Sequence, residues 1–194
     1  MTQEFPPQSN KQAEIETILS VFASVLESRS ACYVSTPMTT GRVFAQPSNV
    51  ATTDRSVSDA LRESRRNMIH CNYILVRALA EELRRSLASL VIDPTAITEL
   101  PGWSQSDYRV LWSFVIKRYV HTVIFVEGWQ YSDGCCYEFL IAHQTGAKTK
   151  TPSLEEISIA QGIHLIREAI NELQEMNRNT AFLKAVTSEL ERCA

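Results

Sequence analysis

The sequence predicts an α/β fold, in which a mostly parallel sheet of about four to five strands is flanked by helices, with extra helices at both ends of the chain. Three observations predict it. Short apolar runs bounded by Pro, Ser and Thr alternate with stretches whose apolar residues recur every three to four positions. The runs are apolar throughout, without an exposed face, as strands covered on both sides must be. And 194 residues with 44% hydrophobic and 21% charged side chains suffice for one core. Such a Rossmann-like or flavodoxin-like arrangement carries its ligand at the carboxyl ends of the strands.

Met1 to Asn10 holds two prolines and no periodicity and reads as a flexible tail, so the domain is placed at 11–194. A first helix starts near Lys11, with Ile15, Ile18, Phe22 and Val25 on one face, and ends before Ser28. Ala31 to Ser35 is the first strand. A Thr-, Ser-, Pro- and Gly-rich segment to about Asp54 follows, and then a long helix capped near Ser56 to Asp59 and continuing to Ser86. Leu90 to Asp93 is the second strand, stopped by Pro94. Ser104-Gln-Ser-Asp107 reads as a capping box opening a helix with Leu111, Val115 and Tyr119, and Thr122 to Val126 is the third strand. Gly134 to Thr145 is the next helix and Ala147 to Lys150 a short edge strand. The helical region 152–194 is then capped by Ser153-Leu-Glu-Glu156, with Ile159, Ile163, Ile166, Ile170 and Leu173 on one face and a break at Asn177 to Asn179.

A formal charge of -3 supplies no broad positive field, which argues against nucleic acid polymers and anionic lipid as partners. The richest apolar stretch, Val110 to Val126, is interrupted by Lys117, Arg118 and His121, so no membrane span is predicted. The opening MTQEFPPQSNKQ lacks a signal-peptide layout, which predicts a cytoplasmic, reducing location. The five cysteines have no CxxC spacing and the four histidines no metal spacing; neither a metal nor a cofactor is expected.

Three loops follow strands at the ligand edge. The first, Ser35-Thr-Pro-Met-Thr-Thr-Gly-Arg42, combines hydroxyls, a glycine and a guanidinium, and reads either as an anion or sugar contact or as a plain connection. The second follows Asp93. In the third, Glu127 to Glu138, Gly134 is read as letting the chain turn and Glu138 lies about one helical turn beyond it. Glu138 either faces a ligand or merely complements the helix dipole, and Trp129 and Tyr131 either wall a ring or pack in the core. Arg62, Arg65 and Arg66 read as a solvated face.

The paired segments Tyr33-Val-Ser-Thr-Pro-Met-Thr-Thr-Gly-Arg42 and Gly128-Trp-Gln-Tyr-Ser-Asp-Gly-Cys-Cys-Tyr-Glu138 resemble the nucleoside 2-deoxyribosyltransferase superfamily, which includes the nucleoside 5'-monophosphate N-glycosidases. The resemblance spans about Ala31 to Gly146 and includes Val91-Ile-Asp-Pro94. It implies that Glu138 attacks an anomeric carbon through an oxocarbenium-like transition state, leaving a glycosyl ester. Ser132 stands where relatives carry a proton-handling acid, with Asp133 beside it as a substitute. Ser113 falls near a second family aspartate, and Asp93, Asp107 and Glu127 are other carboxylates. The implied substrate contacts are Ser35, Thr36, Pro37, Met38, Gly41, Arg42, Asp93, Trp103, Tyr108, Trp112, Gly128, Trp129 and Gly134. The expected partner is a nucleoside or nucleotide, held by a homodimer or higher homo-oligomer that uses the face from Ile159 to Leu173. Two other readings are a non-catalytic nucleotide-binding module and an NAD glycohydrolase with a TIR-like glutamate.

Overall fold

The computed structural model describes residues 9–37, 55–97 and 100–194. In chain order these form α1 (Ser9–Val25), β1 (Ala31–Ser35), α2 (Arg55–Ser86), β2 (Leu90–Ile92), α3 (Gln105–Tyr119), β3 (Val120–Phe125), α4 (Asp133–Thr145), β4 (Lys148–Lys150), α5 (Ile159–Glu175) and α6 (Ala181–Cys193), with short 3-10 turns at Pro94–Ala96 and Trp129–Tyr131. The described strands make one four-stranded sheet in the order β2-β1-β3-β4, and every pairing is parallel. The α/β fold is therefore Rossmann-like, with its order reversing between β1 and β3. Such a reversal splays the two loops leaving these strands to opposite faces and opens a crevice between them.

Side-chain alternation along β1 sorts the core into two layers. Ala31 and Tyr33 join the larger one, with Val123 and Phe125 of β3 and the inner faces of α1, α3, α4, α5 and α6. Cys32 and Val34 join the smaller one, with Val91, Ile124 and the Val76, Ala80 and Leu83 stripe of α2. Among the described residues, α2 alone supplies the helix of that second layer. Phe22 of α1 packs edge-on against Trp112, 6.1 Å between ring centroids, and the Lys11 ammonium reaches Asp107 at 2.8 Å. That ammonium, helped by donors of Ser104, holds the Asp107 carboxyl down at about 2.

Several boundaries move. The helix foreseen from Lys11 starts at Ser9, and β3 starts at Val120 rather than Thr122, directly at the end of α3. β2 stops at Ile92 because the Asp93 side chain accepts from the Thr95 backbone N–H and caps the following turn. The cap at Ser153 is a correction: Leu154 takes φ 67 and Glu156 forms an antiparallel bridge with Lys150, so the chain folds back before the helix. The cap is Ser158, in a reciprocal box with Gln161. The Ile159 to Leu173 face, on which a dimer was expected, is covered within the chain, since Ile163, Ile166, Ala169, Ile170 and Leu173 are all buried in the main core. The cap foreseen at Ser56 to Asp59, and the side chains of Arg62 and Arg65, lie outside the described residues. No helix among the described residues is long and apolar enough to cross a membrane.

Candidate functional site

Tyr33 and Ser35 are two residues apart on β1, so their side chains project on the same face of the sheet, toward α4. There they meet one carboxylate. The Tyr33 hydroxyl donates to Glu138 Oε1 at 2.7 Å and the Ser35 hydroxyl to Oε2 at 2.6 Å. What aims Glu138 is the turn after β3. Gly128 adopts φ 82, and a Cβ there would sit 4.0 Å from Pro37, so the β1 and β3 loops pass close together at this point. Ser132 then caps α4 by accepting from the Cys135 N–H, and Glu138 falls in the second turn of that helix. The Phe125, Trp129 and Phe139 rings, at 4.9 Å and 4.7 Å in succession, lock the turn and the helix together.

The carboxylate opens onto a cavity of about 290 Å³ at the carboxyl edge of the sheet, close to the lower end of small-molecule sites. Its floor is Tyr33, Thr36 and Glu138. One wall comes from α3 through Gln105, Tyr108, Arg109 and Trp112, and another from Ser132, Asp133, Gly134 and Cys135 at the start of α4. Tyr73 of α2 and the turn Pro94, Thr95 and Ile97 close the remaining sides. Asn72 donates to the Pro37 carbonyl at 3.2 Å, which ties α2 to the β1 loop and sets Tyr73. Tyr108 is fixed through its hydroxyl, which accepts from the Leu100 N–H at 2.7 Å.

Burial raises the Glu138 carboxyl from 4.5 to about 7, against the lowering effect of the two hydroxyl donors. Burial also pushes the Asp133 carboxyl up, with the Arg109 guanidinium opposing it. The Tyr33 phenol is driven well above its ordinary value by burial and by the neighbouring carboxylate, so it stays a donor. Burial lifts the Cys135 thiol to about 12, which removes it as a nucleophile near neutrality. Removing the Tyr33 donor by Tyr33→Phe is expected to weaken Glu138 as an acid by about tenfold or more, since a hydrogen bond to a charged group is worth about 1.5–3 kcal/mol. Carbon-13 titration of the labelled glutamate carboxyls measures this, and an unmoved midpoint would count against the bond.

Of the residues singled out from sequence, Glu138, Ser132, Asp133, Gly134, Thr36, Tyr108 and Trp112 line this cavity, and Ser35 lies directly behind Glu138. Pro37 and Gly128 meet where the β1 and β3 loops pass close together and are not among the residues lining the cavity. Met38, Gly41 and Arg42 lie outside the described residues. Asp93 is 7% exposed and spends its carboxylate on Thr95, holding the Pro94 and Thr95 wall rather than facing the cavity.

Of the two readings of Trp129 and Tyr131, the core one holds: both rings pack in the main core under α4 and neither is among the residues lining the cavity, which corrects Trp129 as a substrate contact. Trp103 and Gly134 also need correction. Trp103 lines a different hollow, beside Leu100 and Ala13, and donates to Glu14 at 2.7 Å. Gly134 is an ordinary helical residue, and the glycine that the turn requires is Gly128. Ser113 back-bonds to the Val110 carbonyl at 2.8 Å, and Asp107 is held by Ser104 and Lys11, so neither supplies an acid to the site. Arg109, Gln105, Tyr73 and Thr95 were missed. Gln105, Tyr108, Arg109 and Trp112 follow the spacing i, i+3, i+4, i+7, so their shared helical face was readable from the sequence.

Compared with family models, with curated proteins and with solved structures, the chain matches none.

Proposed function

We propose that this protein cleaves or exchanges the N-glycosidic bond of a nucleoside or nucleoside 5'-phosphate, with Glu138 as nucleophile. The observation that carries the reading is the placement of one carboxylate at the strand reversal, in a ligand-sized cavity, with both oxygens held by hydroxyl donors. Fixing both oxygens aims the carboxylate, and a fixed negative charge in a partly dry site stabilises an oxocarbenium-like sugar before bonding to it. In the first step the anomeric carbon to base nitrogen bond breaks, its electron pair leaves with the base, and Glu138 bonds to the carbon. In the second, water attacks that carbon, the ester oxygen returns as carboxylate, and the water's proton passes to solvent; a second base in place of water gives exchange. Asp133 is the other carboxyl of the cavity, raised by burial and drawn down by Arg109, and the departing base takes its proton from solvent. The rings of Tyr73, Tyr108 and Trp112 offer flat apolar surface to a base.

A second reading is a nucleotide-binding module without turnover. It is favoured by Ser132 serving as a helix cap and Ser113 as a back-bonding helix residue, where relatives of the resembled family carry acids. One experiment separates the two: incubation with a panel of nucleosides, nucleoside 5'-phosphates and NAD, followed by chromatography for free base. Release of a base from a nucleoside or its phosphate is expected; binding without release selects the module, and release of nicotinamide alone selects the NAD reading.

A further inference from the structure

We propose that Arg109 holds a carbonyl oxygen of the leaving base, so that the protein takes oxo-bases, such as 6-oxopurines and 4-oxopyrimidines, in preference to amino-bases. The inference rests on the N-glycosidic reading of the site and adds the class of base.

Among the described residues lining the cavity, Arg109 is the one cation, against two carboxylates, Asp133 and Glu138. Its guanidinium carbon lies 4.7 Å from the centroid of Phe182 of α6, and Phe182 in turn meets the ring of Tyr137 at 6.2 Å. The charged head is therefore seated on an aromatic face rather than free to swing into solvent. Among the described residues, no carboxylate lies within 4.0 Å of it, so its donors are not consumed by an ion pair. Its field still reaches Asp133, whose carboxyl it draws down against burial.

A guanidinium only donates, so whatever it faces must accept. An amino group at that position meets donor against donor. A phosphate accepts, but beside Asp133 it would bring a second anion against a carboxylate in a confined space, which the single guanidinium offsets only in part. A neutral ring bearing a carbonyl accepts without that repulsion. The position suits the reaction as well. Arg109 and Glu138 line the same cavity, so a sugar held against Glu138 carries its base toward the walls to which Arg109 belongs. As the glycosidic bond breaks, its electron pair passes to the ring nitrogen and delocalises onto the carbonyl oxygen. A charge-assisted hydrogen bond from Arg109 strengthens as that charge develops, and no proton need be transferred. The site thus has a means of stabilising the departing base although Ser132 and Ser113 offer no acid.

The test is a matched pair, inosine and adenosine, which share the sugar and differ in carbonyl against amino on the base. Wild type is expected to favour inosine by roughly 10- to 100-fold in kcat/KM, the scale of a good side-chain contact to a base edge. In Arg109→Ala that ratio falls to near one, millimolar guanidinium chloride restores part of it, and Arg109→Lys keeps part of it. Binding of the same pair to Glu138→Gln, which removes turnover, reads the preference independently of chemistry. Binding preference without release from wild type leaves the Arg109 assignment standing and overturns the cleavage reading. Overturning results for Arg109 are an unchanged inosine to adenosine ratio in Arg109→Ala, equal binding of both nucleosides, or a loss confined to inosine 5'-phosphate, which marks a phosphate site. Binding of neither nucleoside overturns both proposals.

Discussion

Glu138→Gln is expected to reduce base release to less than a few percent of wild type and, at pH 8, to make the protein more stable. The first effect follows from chemistry, because an amide of nearly the same shape forms no glycosyl ester. The second follows from proton linkage. In the fold the carboxyl titrates at about 7 instead of 4.5, so between those values the native state keeps a proton that the unfolded chain has released. Stability therefore falls as pH rises from about 4.5 to about 7, and the deficit persists above that range. At 1.36 kcal/mol per tenfold step in acidity the deficit is about 3 kcal/mol, which an uncharged side chain avoids. A gain of that size raises Tm by roughly 6–12 °C for a chain of this length. Thermal denaturation of both proteins at pH 5 and pH 8 provides the check: the gain should be large at pH 8 and small at pH 5. Equal Tm values at both pH values would mean that the carboxylate is not forced to ionise in a dry site, and retained base release would mean that water attacks unaided.

Gly162→Ala is expected to cost about 3 kcal/mol of stability, and more if α5 cannot shift. A Cβ on Gly162 would stand 2.2 Å from the Phe139 ring, which is fully buried and stacked on Trp129. Overpacking of this kind typically costs 1–3 kcal/mol when the neighbour can give, and here the neighbouring ring is backed by Phe125 and Trp129. Urea denaturation should show a lower midpoint with an unchanged slope. An unmoved midpoint would show that α5 adjusts freely over α4.

Much of the fold was legible because its signals were local. The capping box of Ser104 and Asp107 is present as the sequence has it, and β1 runs from Ala31 to Ser35. The cap at Ser153 failed for an instructive reason. Ser153 to Glu156 and Ser158 to Gln161 both fit the pattern of a hydroxyl followed three residues on by a carboxylate or amide. Only the pairing of Lys150 with Glu156, a tertiary event, decides between them. Glu138 follows a buried strand and a glycine-bearing turn, a place where a carboxylate either faces a ligand or complements the helix dipole, and the resemblance alone favours the first. Its two hydroxyl donors come from a strand more than 100 residues earlier, and no spacing rule links such positions. The aromatics divided for a similar reason. Trp129 and Trp112 have the same chemistry, and whether an indole faces a cavity or a core depends on what packs behind it. Arg109 carries no signal of its own, because a charged residue on a helix is usually solvated; only the helical face it shares with Tyr108 and Trp112 marks it.

The parallel pairing of β1 with β3 has a consequence for the order in which the molecule assembles. β3, α4 and β4 lie within 31 residues of one another, Val120 to Lys150, so their contacts close short loops. Tyr33 meets Val123 only across 90 residues of intervening chain, and the entropy of closing a segment grows with its length. Contacts of such sequence separation are gained late when local ones compete. A chain that has formed only the β3 to β4 unit carries the α4 helix and Glu138 but neither Ser35 nor Tyr33 to hold the carboxylate. Completion of the candidate site therefore coincides with the pairing of β1 with β3, and a chain without that pairing displays its glutamate as an ordinary solvated acid.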